Sequence, residues 1–190
     1  MKQKVAILAL QGAFIEHQLM LERLGVESVQ IRKFDDWTDY RTALVSEGCR
    51  GGLIIPGGES TTQLRLLRDL GLYQPIREAI VGGMAVFGTC AGLIMLDGAH
   101  LATMDIEVKR NAYGRQLGSF CTRAEVKGLG LVPMTFIRAP YITAVGDGVE
   151  VLAQVDGHIV AARQDHQLVT AFHPELDDST SIHELFLSML

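Results

Sequence analysis

The run Met84-Ala85-Val86-Phe87-Gly88-Thr89-Cys90-Ala91-Gly92-Leu93 decides the architecture. Four apolar residues with no polar alternation read as a strand covered on both faces, the mark of a parallel sheet between layers of helices. Gly88 and Gly92 bracket a cysteine where that strand gives way to a helix beginning at Ala91. So tight a strand-to-helix turn strains the backbone and needs small neighbours if the side chain is to project into a cleft. The helix start aims free N–H groups and the positive end of its dipole at the sulfur, a setting that suits a nucleophile. Cys90 is therefore the first candidate catalytic residue.

The same rhythm extends on either side. Residues 5–10 form a continuous apolar strand, and residues 12–24 follow as a helix with Phe14, Leu21 and Leu24 on its apolar face before a helix-stopping Gly25. Residues 26–32 read as a second strand and 36–46 as a helix; Gly52-Leu53-Ile54-Ile55-Pro56 is a third, buried strand ending in Gly57-Gly58. Ser60 is expected to cap a helix through Leu70, and a helix over 75–81 leads into the Met84 strand. Ligands of open α/β sheets bind at the carboxyl ends of the strands, which puts Cys90 and Gly57-Gly58 on one edge. From 106 to 172 the pattern changes to short strands, with Asp156-Gly157 between two apolar runs as a two-residue hairpin signal. A closing helix is expected over 181–190. The expected fold is α/β and flavodoxin-like: a mainly parallel sheet with helices on both faces plus an added antiparallel portion, in a single domain spanning 1–190.

Composition narrows the function. A chain of 190 residues that is 48% hydrophobic can bury one good core and is short for two enzyme domains. Its net charge of −5 and pI near 5.6 argue against a phosphate-binding surface, so nucleic acid is not an expected partner. The apolar run at 5–10 is too short for a signal-peptide core or a membrane span, which points to a cytoplasmic protein and no membrane partner. Cys49, Cys90 and Cys121 are odd in number and form no C-x-x-C pair, consistent with free thiols and with neither a disulfide framework nor a zinc site. Cys49 and Cys121 are expected to fill small core gaps. No metal site is expected from His17, His100, His158, His166 and His183, which lack metal-ligand spacing and are read as surface or capping residues. Gly57-Gly58 is no nucleotide loop, because no Gly-Lys-Ser/Thr follows it.

His173-Pro174-Glu175 follows the last apolar strand signal. Two residues apart on a strand, His173 and Glu175 would face the same side, with Pro174 stiffening the backbone between them. The carboxylate would orient the imidazole, and the imidazole would shuttle a proton between Cys90 and a leaving group. The order Cys, His, Glu disfavours an α/β-hydrolase, whose acid precedes its histidine.

This order and its flanking residues resemble the class I glutamine amidotransferases, and more closely the family of glutaminase subunits of pyridoxal 5′-phosphate synthase. The blocks that carry the resemblance are Leu10-Gln11-Gly12-Ala13 with Glu16-His17, Pro56-Gly57-Gly58-Glu59-Ser60-Thr61-Thr62, Phe87 through Leu93, Arg110-Asn111-Ala112-Tyr113-Gly114-Arg115-Gln116, Phe136-Ile137-Arg138-Ala139-Pro140 and Phe172-His173-Pro174-Glu175-Leu176. They span nearly the whole chain. One departure is visible: the stretch from Trp37 to Arg50 looks longer than usual for the family, and Gly51 stands where an acid is usual.

The resemblance implies hydrolysis of L-glutamine by a Cys90–His173–Glu175 triad, with no cofactor, and delivery of the ammonia to a synthase subunit in a hetero-oligomeric complex. It implies glutamine contacts at Gly58, Glu59, Ser60, Arg110, Ile137 and Arg138, and a synthase contact at Gln11, Glu16 and His17. Oxyanion donors are expected from the backbone at Gly57, Gly58 and Ala91, and the Gly57-Gly58 peptide is the expected switch between idle and active states. Two alternatives stay open: a glutaminase serving another acceptor, such as imidazole glycerol phosphate synthase, and a non-enzymatic fold relative used for binding.

Overall fold

The computed structural model describes residues 2–110 and 119–190. Segment 111–118 lies outside the described residues, and with it most of the Arg110–Gln116 block. The first half is a run of βα units: β1 (Gln3–Leu8), α1 (Phe14–Arg23), β2 (Glu27–Ile31), α2 (Phe34–Ser46), β3 (Arg50–Ile55), α3 (Ser60–Asp69), α4 (Tyr73–Val81), β4 (Ala85–Thr89) and α5 (Ala91–Leu96). The second half is β5 (Ile106–Lys109), β6 (Ser119–Val126), β7 (Gly130–Ile137), β8 (Tyr141–Val145), β9 (Glu150–Val155), β10 (His158–Gln164), β11 (Gln167–Thr170), a single 3₁₀ turn (Pro174–Leu176) and α6 (Ser181–Ser188).

The main sheet runs β2-β1-β3-β4-β11-β10-β8-β5, with β9 beside β10. Strands β2, β1, β3, β4 and β11 pair in parallel, and those beyond β11 pair antiparallel. β4 and β11 are buried along their whole length, as the unbroken apolar runs demand, whereas the edge strand β2 is mostly half-exposed. The antiparallel portion is divided: besides the strands added to the main sheet, β6 and β7 form a separate two-stranded ribbon. The Asp156-Gly157 turn joins β9 to β10 as its sequence requires, with both residues at positive φ, 50° and 78°. Among the described residues, no helix is long and apolar enough to cross a membrane.

Two local differences from the sequence reading have simple causes. α2 starts at Phe34, two residues early, because the Asp36 carboxylate accepts hydrogen bonds from the Arg32 and Lys33 amides and holds the first turn. Gly51 on β3 lies beneath α2: a Cβ there would meet the ends of the Leu44 and Tyr40 side chains, which would have to shift to admit an acidic residue.

Candidate active site

Four strand ends converge at the carboxyl edge of the parallel sheet. Gln11 follows β1, Gly57 to Ser60 follow β3, Cys90 follows β4 and His173 follows β11. They border a cleft of about 320 Å³ lined by Gln11, Gly58, Glu59, Ser60, Cys90, Ala91, Ile94, Arg110, Ile137, Arg138, Pro140 and His173. That volume suits a small metabolite. All six residues expected to contact glutamine are among its walls.

Cys90 precedes α5 with φ 49° and ψ −99°, a conformation that non-glycine residues rarely adopt and that the surrounding packing must enforce. Its amide donates to the Thr170 carbonyl on β11 at 2.8 Å, which ties the turn to the neighbouring strand. Gly92 is required behind it, since a Cβ there would collide with the Ile55 carbonyl. The elbow expected from Gly88 and Gly92 is thus present. The Ala91 amide, first in α5, is one of the N–H groups that a helix start leaves without an intrahelical partner.

His173 and Glu175 pair, but not by way of a strand. β11 ends at Thr170, and Glu175 lies in the 3₁₀ turn that Pro174 opens, with His173 as the residue before it. His173 precedes the turn with φ −107° and ψ 82°, and from there its Nδ1 lies 2.7 Å from Glu175 Oε1. Glu175 is buried, and the His173 amide is anchored to the Thr135 carbonyl at 2.8 Å. Burial pulls the His173 pKa down, but hydrogen bonds and charge from Cys90 and Glu175 outweigh it and raise it to about 10. Burial also raises the Glu175 carboxyl, against the pull of His173. Both shifts act to keep a proton in the site.

The loop after β3 differs from expectation in two places. Glu59, not Ser60, caps α3: its carboxylate accepts from the Thr61 and Thr62 amides at 3.1 and 2.7 Å. Glu59 is the better cap because its longer side chain folds back onto both amides, which leaves the Ser60 hydroxyl buried against the cleft without a partner among the described residues. Gly57 is removed from the oxyanion donors, because its amide donates to the Thr89 hydroxyl at 3.0 Å. Its carbonyl accepts from the Ala13 amide at 3.0 Å, and in a trans peptide this turns the Gly58 N–H the opposite way. Gly58 and Ala91 remain as the candidate donors. Gly57 has no room for a side chain, since a Cβ would strike the His173 ring.

Arg110 is paired: it donates to Glu59 Oε1 at 3.0 Å and to the Thr61 hydroxyl at 3.3 Å. Arg138 makes no ion pair with a described residue and sits at the cleft with φ 45°. Ile137 presents its carbonyl 4.0 Å from Cys90 Sγ. Of the three expected synthase contacts, Glu16 is half-exposed on α1, and Gln11 turns into the cleft, where its side-chain oxygen accepts from the Glu59 amide at 2.8 Å. His17 is wholly buried and cannot meet a partner at the surface. His183 is wholly buried too, contrary to a surface or capping role. Helical periodicity turns both inward, where each gains an imidazole partner. Cys49 is half-buried and Cys121 exposed, so neither fills the core; Cys121 lies on the outer side of the two-stranded ribbon.

Hydrogen bonds from the Thr62 and Thr61 amides, with burial opposing them, hold the Glu59 carboxyl at about 2. A carboxyl lowered in the folded state stabilises the fold above its ordinary value of 4.5, and that contribution fades as pH falls towards about 2. Glu59→Ala is expected to lose about 1 kcal/mol at neutral pH through the missing cap. Urea unfolding at a series of pH values will show the gap to wild type closing across that acid window; a gap independent of pH would count against the cap.

An α/β sheet with a cysteine on a strand-to-helix elbow and a His–carboxylate pair on the next strand end is the arrangement of a glutamine amidotransferase domain. The chain belongs to the SNO glutamine amidotransferase family, whose model matches residues 7–190. The pyridoxal 5′-phosphate synthase subunit PdxT of Streptococcus pneumoniae strain CGSP14 is 56% identical over 193 residues, covering 98% of this chain and 96% of the relative. PdxT of strain ATCC 700669 / Spain 23F-1 is 55% identical over 98% of this chain and 97% of its own. A crystal structure of a glutamine amidotransferase superposes with a TM-score of 0.86 at 41% identity, over 97% of both chains. PurLQS from Thermotoga maritima shares the fold at a TM-score of 0.71 and 15% identity, over 99% of both chains.

Proposed function

We propose that this chain is the glutaminase subunit of a pyridoxal 5′-phosphate synthase, hydrolysing L-glutamine to L-glutamate and ammonia and passing the ammonia to a separate synthase subunit. One observation carries the chemistry: the elbow cysteine and His173, with Glu175 behind it, border a cleft with Arg138, which has no ionic partner among the described residues. Arg138 offers its guanidinium fork to the glutamine α-carboxylate. The Cys90 sulfur attacks the side-chain amide carbon, and the Gly58 and Ala91 amides receive the oxyanion. His173 gives its proton to the departing ammonia, which leaves a γ-glutamyl thioester on Cys90. His173 then takes a proton from water as that water attacks the thioester, and glutamate is released with the thiol restored. Glu175 holds the imidazole in register and stabilises its cation.

All 190 residues act as one domain, a reading supported by a continuous hydrophobic core that joins β1, β3, β4, β10 and β11 to α6. Three cysteines without a disulfide fit a cytoplasmic location. The outer face of α1 supports docking of the synthase: Ile15 and Leu19 are 46% and 53% exposed on either side of Glu16. Docking there would reach the site through the Gly57-Gly58 peptide, which the Ala13 amide at the start of α1 holds in place.

The test is glutamine turnover of the purified chain with and without a pyridoxal 5′-phosphate synthase subunit. Low turnover alone and a large rise on mixing are expected, with Glu16→Lys blunting the rise. Full turnover alone, unchanged by the partner, would establish an independent glutaminase instead.

A further inference from the structure

Behind the His173–Glu175 pair, three more polar side chains are packed away from solvent. Thr89 at the end of β4, His17 on α1 and His183 on α6 are all completely buried. His17 Nδ1 lies 2.9 Å from His183 Nε2, and His17 Nε2 lies 3.1 Å from Thr89 Oγ1 and 3.5 Å from Glu175 Oε2. Phe87 packs edge-on against both rings. Glu175 spends Oε1 on His173; Oε2 is buried and has no hydrogen-bond partner among the described residues. A carboxylate oxygen stranded in this way is strongly destabilising unless a donor reaches it.

Proton counting identifies that donor. Burial, and repulsion from His183 and His173, hold His17 well below the ordinary histidine range; burial lowers His183 to about 4. Both rings are neutral, so one proton lies between His17 Nδ1 and His183 Nε2. If His17 owns it, its bare Nε2 accepts at most from the Thr89 hydroxyl and leaves Glu175 Oε2 without a donor, and His183 carries an N–H on Nδ1, which is buried without a partner among the described residues. If His183 owns it, His17 carries its proton on Nε2, facing Thr89 and Glu175, and His183 Nδ1 keeps only an unused lone pair. The second arrangement strands no N–H group. A proton on Glu175 Oε2 would also fill the contact, but it would discharge the carboxylate that the His173 cation requires and still leave the His183 Nδ1–H stranded.

We propose that His17 is a positioning residue of the reaction: its Nε2–H, set in that tautomer by His183, holds the second oxygen of Glu175 and keeps the carboxylate ionised and aligned on His173. The contact is long for a hydrogen bond in the free enzyme and shortens in the substrate complex, as catalytic hydrogen bonds do. The charged and titratable groups around it are few. Glu175 meets His173 from its own segment and His17 and Glu16 from α1, the last opposing its charge. His17 meets His183 from α6, Thr89 from β4, Glu175, and the charge of His173.

The proposal rests on the glutaminase reading above, and its test separates the two. Steady-state glutamine hydrolysis across pH, in complex with the synthase subunit, is compared for wild type, Cys90→Ala, His17→Phe, His17→Gln and His183→Gln. His17→Phe should lower kcat on the order of tenfold with little change in KM. Its pH bell should narrow by about one unit on the limb that His173 sets, because a less stable Glu175 anion supports the imidazolium less well. His17→Gln, whose amide N–H reaches the Nε2 position, should recover most of both. His183→Gln keeps a donor to His17 Nδ1 and should lose less than His17→Phe. Loss of folded stability in His17→Phe with an unchanged pH bell, or equal loss in the Phe and Gln variants, would overturn the proposal and leave the triad standing. An active Cys90→Ala would overturn the triad instead. Nitrogen-15 NMR of the unaltered chain reads the tautomers whatever the variants do: Nε2–H on both His17 and His183 is expected, and Nδ1–H on either is decisive against it.

Discussion

Cys90→Ala will hydrolyse no glutamine. Loss of the nucleophile from residues that act as a unit removes nearly all of the rate, on the order of 10⁶ in kcat for a comparable triad. The three thiols also make a chemical test possible, because their exposures run against their expected reactivities. Cys121 is exposed and Cys49 half-buried, while Cys90 is only 7% exposed. A general alkylating reagent should therefore reach Cys121 most readily. A glutamine-like electrophile should instead label Cys90, since it must dock in the cleft before it reacts, and excess glutamine should protect Cys90 alone. Mass spectrometry of the labelled peptides gives the answer. Equal labelling of all three thiols by the glutamine analogue, or turnover in Cys90→Ala, would remove the assignment.

His173→Ala should be nearly as damaging, and Glu175→Gln less so. With His173 raised to about 10, the imidazole stays cationic beside Cys90 throughout the neutral range, which gives it a proton ready for the leaving ammonia. Without His173 the departing nitrogen loses its acid. In Glu175→Gln the amide oxygen still accepts from Nδ1 but carries no charge to support the cation. A loss of up to about 10⁴ in kcat is expected, with residual turnover above that of His173→Ala. Single-turnover measurements should also show slower acylation, because stabilisation of the cation is needed before ammonia departs. Wild-type turnover in His173→Ala would end the proposed mechanism.

The residues that were legible along the chain are those whose constraint is local. The Gly88 to Gly92 elbow is a demand on backbone geometry and space within five residues, and it appears as read. Asp156-Gly157 is a demand on two φ angles, and both are positive. The resemblance added Gly58, Glu59, Ser60, Arg110, Ile137 and Arg138, all of which line the cleft. Local reasoning failed where two short-range options were close in energy. A residue pair at i and i+2 can meet along a strand or where the first residue caps a turn that holds the second, and Pro174 favours the cap by supplying a helical φ at the turn's first position. Glu59 and Ser60 can each cap α3, and the longer carboxylate also gains Arg110.

By itself, then, the sequence determined the parallel α/β sheet, the cysteine at its carboxyl edge and the hairpin, because periodicity, glycine placement and turn chemistry act over a few bonds. Only the tertiary structure decided that His17 and His183, 166 residues apart, share a proton behind Glu175. It alone engaged the Gly57 amide with Thr89, 32 residues away, and so took it out of the candidate oxyanion donors. It also left Arg138 without an ionic partner among the described residues. The physical reason is the same in each case: the partner of a buried polar group is set by which strands and helices pack together, and a contact made across the fold leaves no periodic trace in the residues on either side of it.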